Sequence, residues 1–254
     1  MVVVADLLAG LASGAVRVVD LTNPLSSRTP TLRLPEPFAN LDDFSLEQVS
    51  AYDPPGPFWK HHNIRTGEHI GTHLDAPVHW ITGRDGHDVS QIPPDRLVGP
   101  AAVMDFSAAA AEDPDFLLEI SHVKSWIDAH GELAPGTWLL FRTGWDRFAH
   151  DQALFLNDSR TPGISASCAE WLATDTPISG FGVETVGIDA GSAGGFDPPF
   201  PAHFHLLGND KYGLTSLQNL ASLPPTGALL VVAPLPIVGG TGSPTRALAL
   251  VDGR

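Results

Sequence analysis

The chain has 254 residues, 43% of them hydrophobic and 17% charged, with a formal net charge of −15. That length buries a sizeable core without disulfides, and the excess of carboxylates excludes polyanionic partners such as nucleic acid or an anionic membrane surface, which need clustered Lys and Arg. A lone cysteine, Cys168, leaves no intramolecular disulfide, while 25 Gly and 23 Pro point to many turns rather than a helical bundle.

In chain order, residues 2–13 predict an amphipathic helix. No basic stretch precedes its apolar residues and Asp6 interrupts them, so it does not read as a secretion signal. With no segment long enough to span a bilayer, a cytoplasmic location is expected. Residues 16–21 predict a strand, 61–66 an extended segment, and 101–106 and 138–142 buried strands. Helices are expected at 121–130, with Ser121 as N-cap, and at 165–173. Residues 183–189, 228–233 and 246–251 complete the strands. No repeat or linker divides the chain. Strands interleaved with a few helices predict one α/β domain over residues 1–254, with a mixed β-sheet and flanking helices.

The chemistry concentrates in Glu68–Trp80, EHIGTHLDAPVHW, where His69, His73, Asp75 and His79 fall within eleven residues. Two imidazoles and a carboxylate, His69, His73 and Asp75, form a mixed nitrogen and oxygen set suited to a divalent transition metal, and three protein ligands leave room for water and substrate. Gly71 weakens a helix here and Pro77 forbids continuing one, so the motif belongs on a tight irregular segment after a strand. No Glu stands next to His69 in the zinc-peptidase pattern.

Other polar residues carry weaker signals. His61 and His62 are adjacent, so on a strand at most one faces an ion. Asp189, beside Ala190–Gly191, reads as a turn residue before it reads as an orienting group. Glu68 reads as exposed before it reads as a partner of His69. Arg246 reads as a buried ion-pair partner, and Cys168 as a small buried hydrophobe.

The run HIGTHLDAPVH resembles the signature of the cyclase family, which includes bacterial kynurenine formamidases and isatin hydrolases. The resemblance extends through VVDLTNPL, FRTGWD, FPAHFHLLG and GTGSPTRALAL, nearly the whole chain. It implies a swivelling β/β/α fold, a metal bound by the residues matching His69, His73 and Asp75, and proton transfer by the one matching His79. Formamidases of the family hold a second zinc through a His and, twelve residues later, a Glu. The His matches His203, but Thr215 stands at the Glu position, and a hydroxyl is a far poorer ligand. The resemblance therefore points to the isatin hydrolase branch, with one divalent ion, manganese as first choice and zinc as the alternative. There the counterparts of His203 and Ser216 form a water-gated proton path.

The implied activity is the opening of a cyclic amide, isatin to isatinate. Phe58, Trp59 and Trp80, on either side of the metal motif, are candidates for a flat aromatic slot holding a bicyclic small molecule. Competing readings are arylformamidase action on N-formylkynurenine, a lactone hydrolase or biosynthetic cyclase, and a metal-containing binding protein without turnover. His79 argues against the last, because a structural site needs no base. A homodimer or larger homo-oligomer is implied, with residues 35–59 as the segment closing a neighbour's site.

Overall fold

The computed structural model describes residues 3–253. Its centre is an eight-stranded mixed sheet in the order β1-β12-β11-β5-β7-β9-β10-β4. The strands are β1 Val16–Asp20, β4 His73–Asp75, β5 Val98–Asp105, β7 Trp138–Arg142, β9 Gly180–Val183, β10 Tyr212–Thr215, β11 Ala228–Pro234 and β12 Gly242–Asp252. The run β5, β7, β9, β10 is parallel, and the remaining pairs are antiparallel. Strand β12 also pairs through Gly242–Pro244 with β4, so the sheet closes on itself like a barrel.

Both faces of the sheet are buried. Along β7, Trp138 and Leu140 join the core with Leu74, Leu214 and Leu230, whereas Leu139 and Phe141 pack with Val123, Leu172 and Leu206. Side chains alternate across a strand, so an unbroken apolar run such as WLLF satisfies a sheet covered on both sides. The outer cover comes from α3 Ile120–His130 and α5 Ala166–Thr174. Shorter helices are α2 Ser107–Glu112 and α4 Gln152–Leu156, and a two-stranded sheet joins β6 Leu117–Leu118 to β8 Gly163–Ile164. The first helix, α1 Val3–Ser13, buries no residue; residue 2, the expected start, lies outside the described residues. Among the described residues no helix is long and apolar enough to cross a membrane.

Three expectations need correction. Helix α3 is capped by Glu119, not Ser121: the Glu119 side chain takes the His122 amide while the His122 ring accepts from the Glu119 amide. The strand expected over 183–189 lies earlier, at Gly180–Val183; residues 184–189 are not strand, and the Glu184 carboxylate there accepts from the Thr143 and Trp145 amides. Arg246 pairs with Asp20 at 2.6 Å as expected, but in the open, its side chain 64% exposed.

Apart from the main sheet stands a second two-stranded sheet, β2 Ser45–Asp53 with β3 Gly56–Arg65. The segment expected to be extended at 61–66 falls in β3. This hairpin exposes Leu46, Tyr52, Phe58, Trp59 and Ile64.

Candidate active site

The metal-type motif lies where the barrel closes. Gly71 takes a positive φ of 63° and a Cβ there would meet Leu25 at 2.6 Å, so glycine makes this bend without strain or displacement. The chain then runs straight into β4, three fully buried residues long, and leaves it through one tight helical turn, Pro77–His79. Pairing with β10 on one side and β12 on the other fixes β4. As expected, the segment is not a regular helix.

Ligand atoms of His69, Asp75 and His79 lie within 4.8 Å of one another. His73 is buried beside them, its Nε2 3.3 Å from Asp75 Oδ1. The His73 Nδ1 faces the Gly71 carbonyl at 2.8 Å, which accepts only, so Nδ1 carries a hydrogen and Nε2 is the nitrogen turned to Asp75. The other carboxylate oxygen, Asp75 Oδ2, is buried without a hydrogen bond, with His203 Nε2 3.9 Å away. Burial alone would push the Asp75 carboxyl up, but the facing His73 and His69 rings overcome it and hold it well below the usual carboxylate range. A buried carboxylate with one oxygen orphaned, ringed by imidazole nitrogens, is a set that a cation completes. The chemistry of this donor set therefore fits a divalent cation, and His69, His73, Asp75 and His79 are the residues able to reach one. Gly213 and Gly242 on the flanking strands keep the space open: a Cβ would fall 2.5 Å from Asp75 Oδ2 at the first and 2.5 Å from His69 Cε1 at the second.

His79 stacks on His69 with ring centroids 3.9 Å apart. Burial, together with the His69 and His203 rings and against the pull of Asp75, lowers its pKa to about 3, so at neutral pH it has a free lone pair. His203 is set the opposite way. Burial lowers its pKa, but a 2.5 Å hydrogen bond to Asp189 outweighs burial and raises it. Asp189 also accepts from the Ala202 and His203 amides, so it orients His203 rather than merely closing a turn. Its sequence neighbours, a glycine and an alanine, masked that role.

A cavity of about 570 Å³ opens over these groups. Trp80 lines it and meets Phe200 edge-on at 5.7 Å. Leu32, Leu34, Phe38 and Leu41, from the segment between β1 and β2, supply another wall. No spacing pattern in that Pro-rich segment marked those residues. Phe58 and Trp59 do not line the cavity: they stand on the hairpin, 85% and 48% exposed, because β3 pairs only with β2. His61 and His62 share that hairpin and do not line the cavity either. Ser216 is buried off the cavity, its amide on the Thr185 carbonyl and its own carbonyl on the Thr72 hydroxyl. Thr215 is fully buried with its hydroxyl 2.9 Å from His73 Nδ1. Cys168 is buried and its thiol pushed up to about 12 by burial, which leaves it inert.

The chain with this closed mixed sheet and His/Asp cluster belongs to the cyclase family: the family model Cyclase matches residues 19–190. Within the family, the chain is 47% identical over 250 residues to the isatin hydrolase of Roseibium aggregatum, covering 96% of this chain and 95% of that one. A crystal structure of an isatin hydrolase bound to the product analogue thioisatinate superimposes with a TM-score of 0.95, at 46% identity over 98% of both chains. The kynurenine formamidase of Salinibacter ruber is 32% identical over 195 residues, 73% of this chain and 77% of that one.

Proposed function

We propose that the chain is a metal-dependent hydrolase that opens the cyclic amide of isatin to isatinate, with one manganese, or zinc in its place, held by His69, His73 and Asp75. The observation that carries this reading is the orphaned, buried Asp75 Oδ2 at the floor of an apolar cavity, in a chain 47% identical to an isatin hydrolase over 96% of its length. When bound, the cation supplies Lewis acidity, lowering the pKa of a water and polarising the lactam carbonyl.

The rest is the work of side chains. Ring opening adds water across the C–N bond: the carbonyl carbon gains the oxygen, the nitrogen leaves with a proton, and ionisation of the new acid releases one proton overall. His79, neutral and unpaired, takes the proton of the attacking water and returns it to the leaving nitrogen. Trp80, with Phe200 against its edge, offers a flat apolar surface to the bicyclic ring. His203, held by Asp189, takes the released proton, with Ser216 as the next station of the path that the family resemblance implies.

Thr215 favours this reading over arylformamidase action: it packs on His73 and brings a hydroxyl to the position where the family resemblance implies a carboxylate ligand for a second metal. We also assign a homodimer. An isolated two-stranded hairpin is marginal in water, and the exposed Phe58, Trp59 and Ile64 on β3 call for cover by a second copy.

The deciding experiment measures metal content and turnover together, with manganese supplied. One equivalent of metal and ring opening of isatin support the proposal. Two equivalents, or inert isatin beside rapid deformylation of N-formylkynurenine, overturn it.

A further inference from the structure

On the side of His69 away from Asp75, two residues form a short relay. The Thr241 hydroxyl lies 2.6 Å from Glu68 Oε2, and the Thr241 amide donates to the same oxygen at 3.2 Å. A carboxylate oxygen only accepts, so the hydroxyl hydrogen is committed to Glu68. What Thr241 Oγ1 has left for His69 Nε2, 2.9 Å away, is a lone pair. Nε2 therefore carries a hydrogen, and Nδ1, 2.7 Å from Asp75 Oδ1, is the nitrogen left to face a cation. A hydrogen on Nδ1 or a cation beside it satisfies that pair; a bare lone pair against the carboxylate does not.

The position of the ring is set by its neighbours: His79 stacks on it, and Gly242 leaves room for it where any Cβ would collide. Neither contact chooses between the two nitrogens. With a cation between Nδ1 and Asp75 the Thr241 hydroxyl does, and its direction is decided by Glu68, half-buried rather than exposed as the sequence suggested. Glu68 and Thr241 are far apart in the chain and meet because β12 begins beside β4.

We propose that Glu68 and Thr241 are positioning residues that lock His69 in the Nε2–H tautomer and so dedicate its Nδ1 to the divalent cation. This rests on the metal reading above, and it is tested on metal binding rather than turnover. Zinc, being diamagnetic, is the probe. In zinc-loaded wild-type protein with isotope-labelled histidine, imidazole nitrogen spectra should show a hydrogen on His69 Nε2 and none on Nδ1; a hydrogen on Nδ1 overturns the proposal.

Thr241→Val keeps the shape and the backbone bond to Glu68 but removes the hydroxyl. In competition with a chromophoric chelator it should bind zinc about 10- to 100-fold more weakly, the usual cost of losing an outer partner of a ligand. Thr241→Ser restores the hydroxyl and should bind as the wild type does. Undiminished affinity in Thr241→Val, or an equal loss in Thr241→Ser, overturns the relay. If Thr241→Val does not fold, the wild-type spectrum still decides. A wild-type protein that binds no zinc or manganese overturns the metal site itself and the relay with it.

Discussion

His79 and Asp75 sit a few ångströms apart and are set to opposite tasks, which separates the effects of replacing them. Asp75 is the only carboxylate in the cluster, so Asp75→Ala removes the charge that balances a cation. Metal analysis of that variant should find the site empty. His79→Ala leaves His69, His73 and Asp75 in place. It should retain the metal and lose about 10²- to 10⁴-fold in kcat, the span of general acid–base catalysis. Equal loss of metal in both variants would falsify the division between ligand and base. Asp189→Asn acts one step further out: without the carboxylate, the support that raises the His203 pKa is gone. Turnover should fall with metal content unchanged, and loss of metal would show that His203 belongs to the ligand set instead.

At the level of elements, the site depends on how closely β4, β10 and β12 approach. Gly213→Ala places a methyl 2.5 Å from Asp75 Oδ2, closer than any Cβ tolerates, and the carboxylate is too buried to swing aside. Metal affinity should drop more than stability does, read by chelator competition beside thermal unfolding. The β2–β3 hairpin makes a separate prediction. Replacing Phe58 and Trp59 with Ser removes exposed apolar surface, so on the proposed homodimer the mass measured by light scattering should shift toward the monomer. An unchanged mass would detach the hairpin from assembly.

For the molecule as a whole, Glu184 links stability to pH. It is fully buried at the end of β9, and its Oε2 takes the Thr143 and Trp145 amides while Oε1 has no hydrogen bond. Burial, with Asp146 adding to it, raises its pKa from 4.5 to about 7. Between those values the native state holds more protons than the unfolded chain, so stability falls as pH rises. Below the window the penalty is absent, and above it the penalty is complete, at about 3 kcal/mol. Denaturant unfolding across the window should show Glu184→Gln losing less stability than the wild type; parallel curves would remove Glu184 from the linkage. Metal acts on the whole fold in the same way. A cation at 100 times its Kd stabilises by about 2.7 kcal/mol. For a chain of this size that is roughly 5–10 °C in Tm, reversed by a chelator.

What the sequence by itself determined is local. The ligand types of His69, His73, Asp75 and His79 stand within eleven residues, and Gly71 and Pro77 rule out a helix through them. The apolar runs at 101–106, 138–142 and 228–233 declare buried strands, and Ser165 declares the start of α5, whose Cys168 amide it caps. The resemblance of HIGTHLDAPVH to the cyclase signature works at the same range. Only the tertiary structure decided which distant groups meet. Closure of β4 on β12 brings Thr241 and Glu68 to His69; the turn after β9 carries Asp189 to His203; and the segment 31–41 folds over the metal motif to wall the cavity. Those contacts depend on strand register and chain crossing. Residue type and spacing encode neither, because a hydroxyl or a carboxylate has no fixed role until the fold supplies its partner.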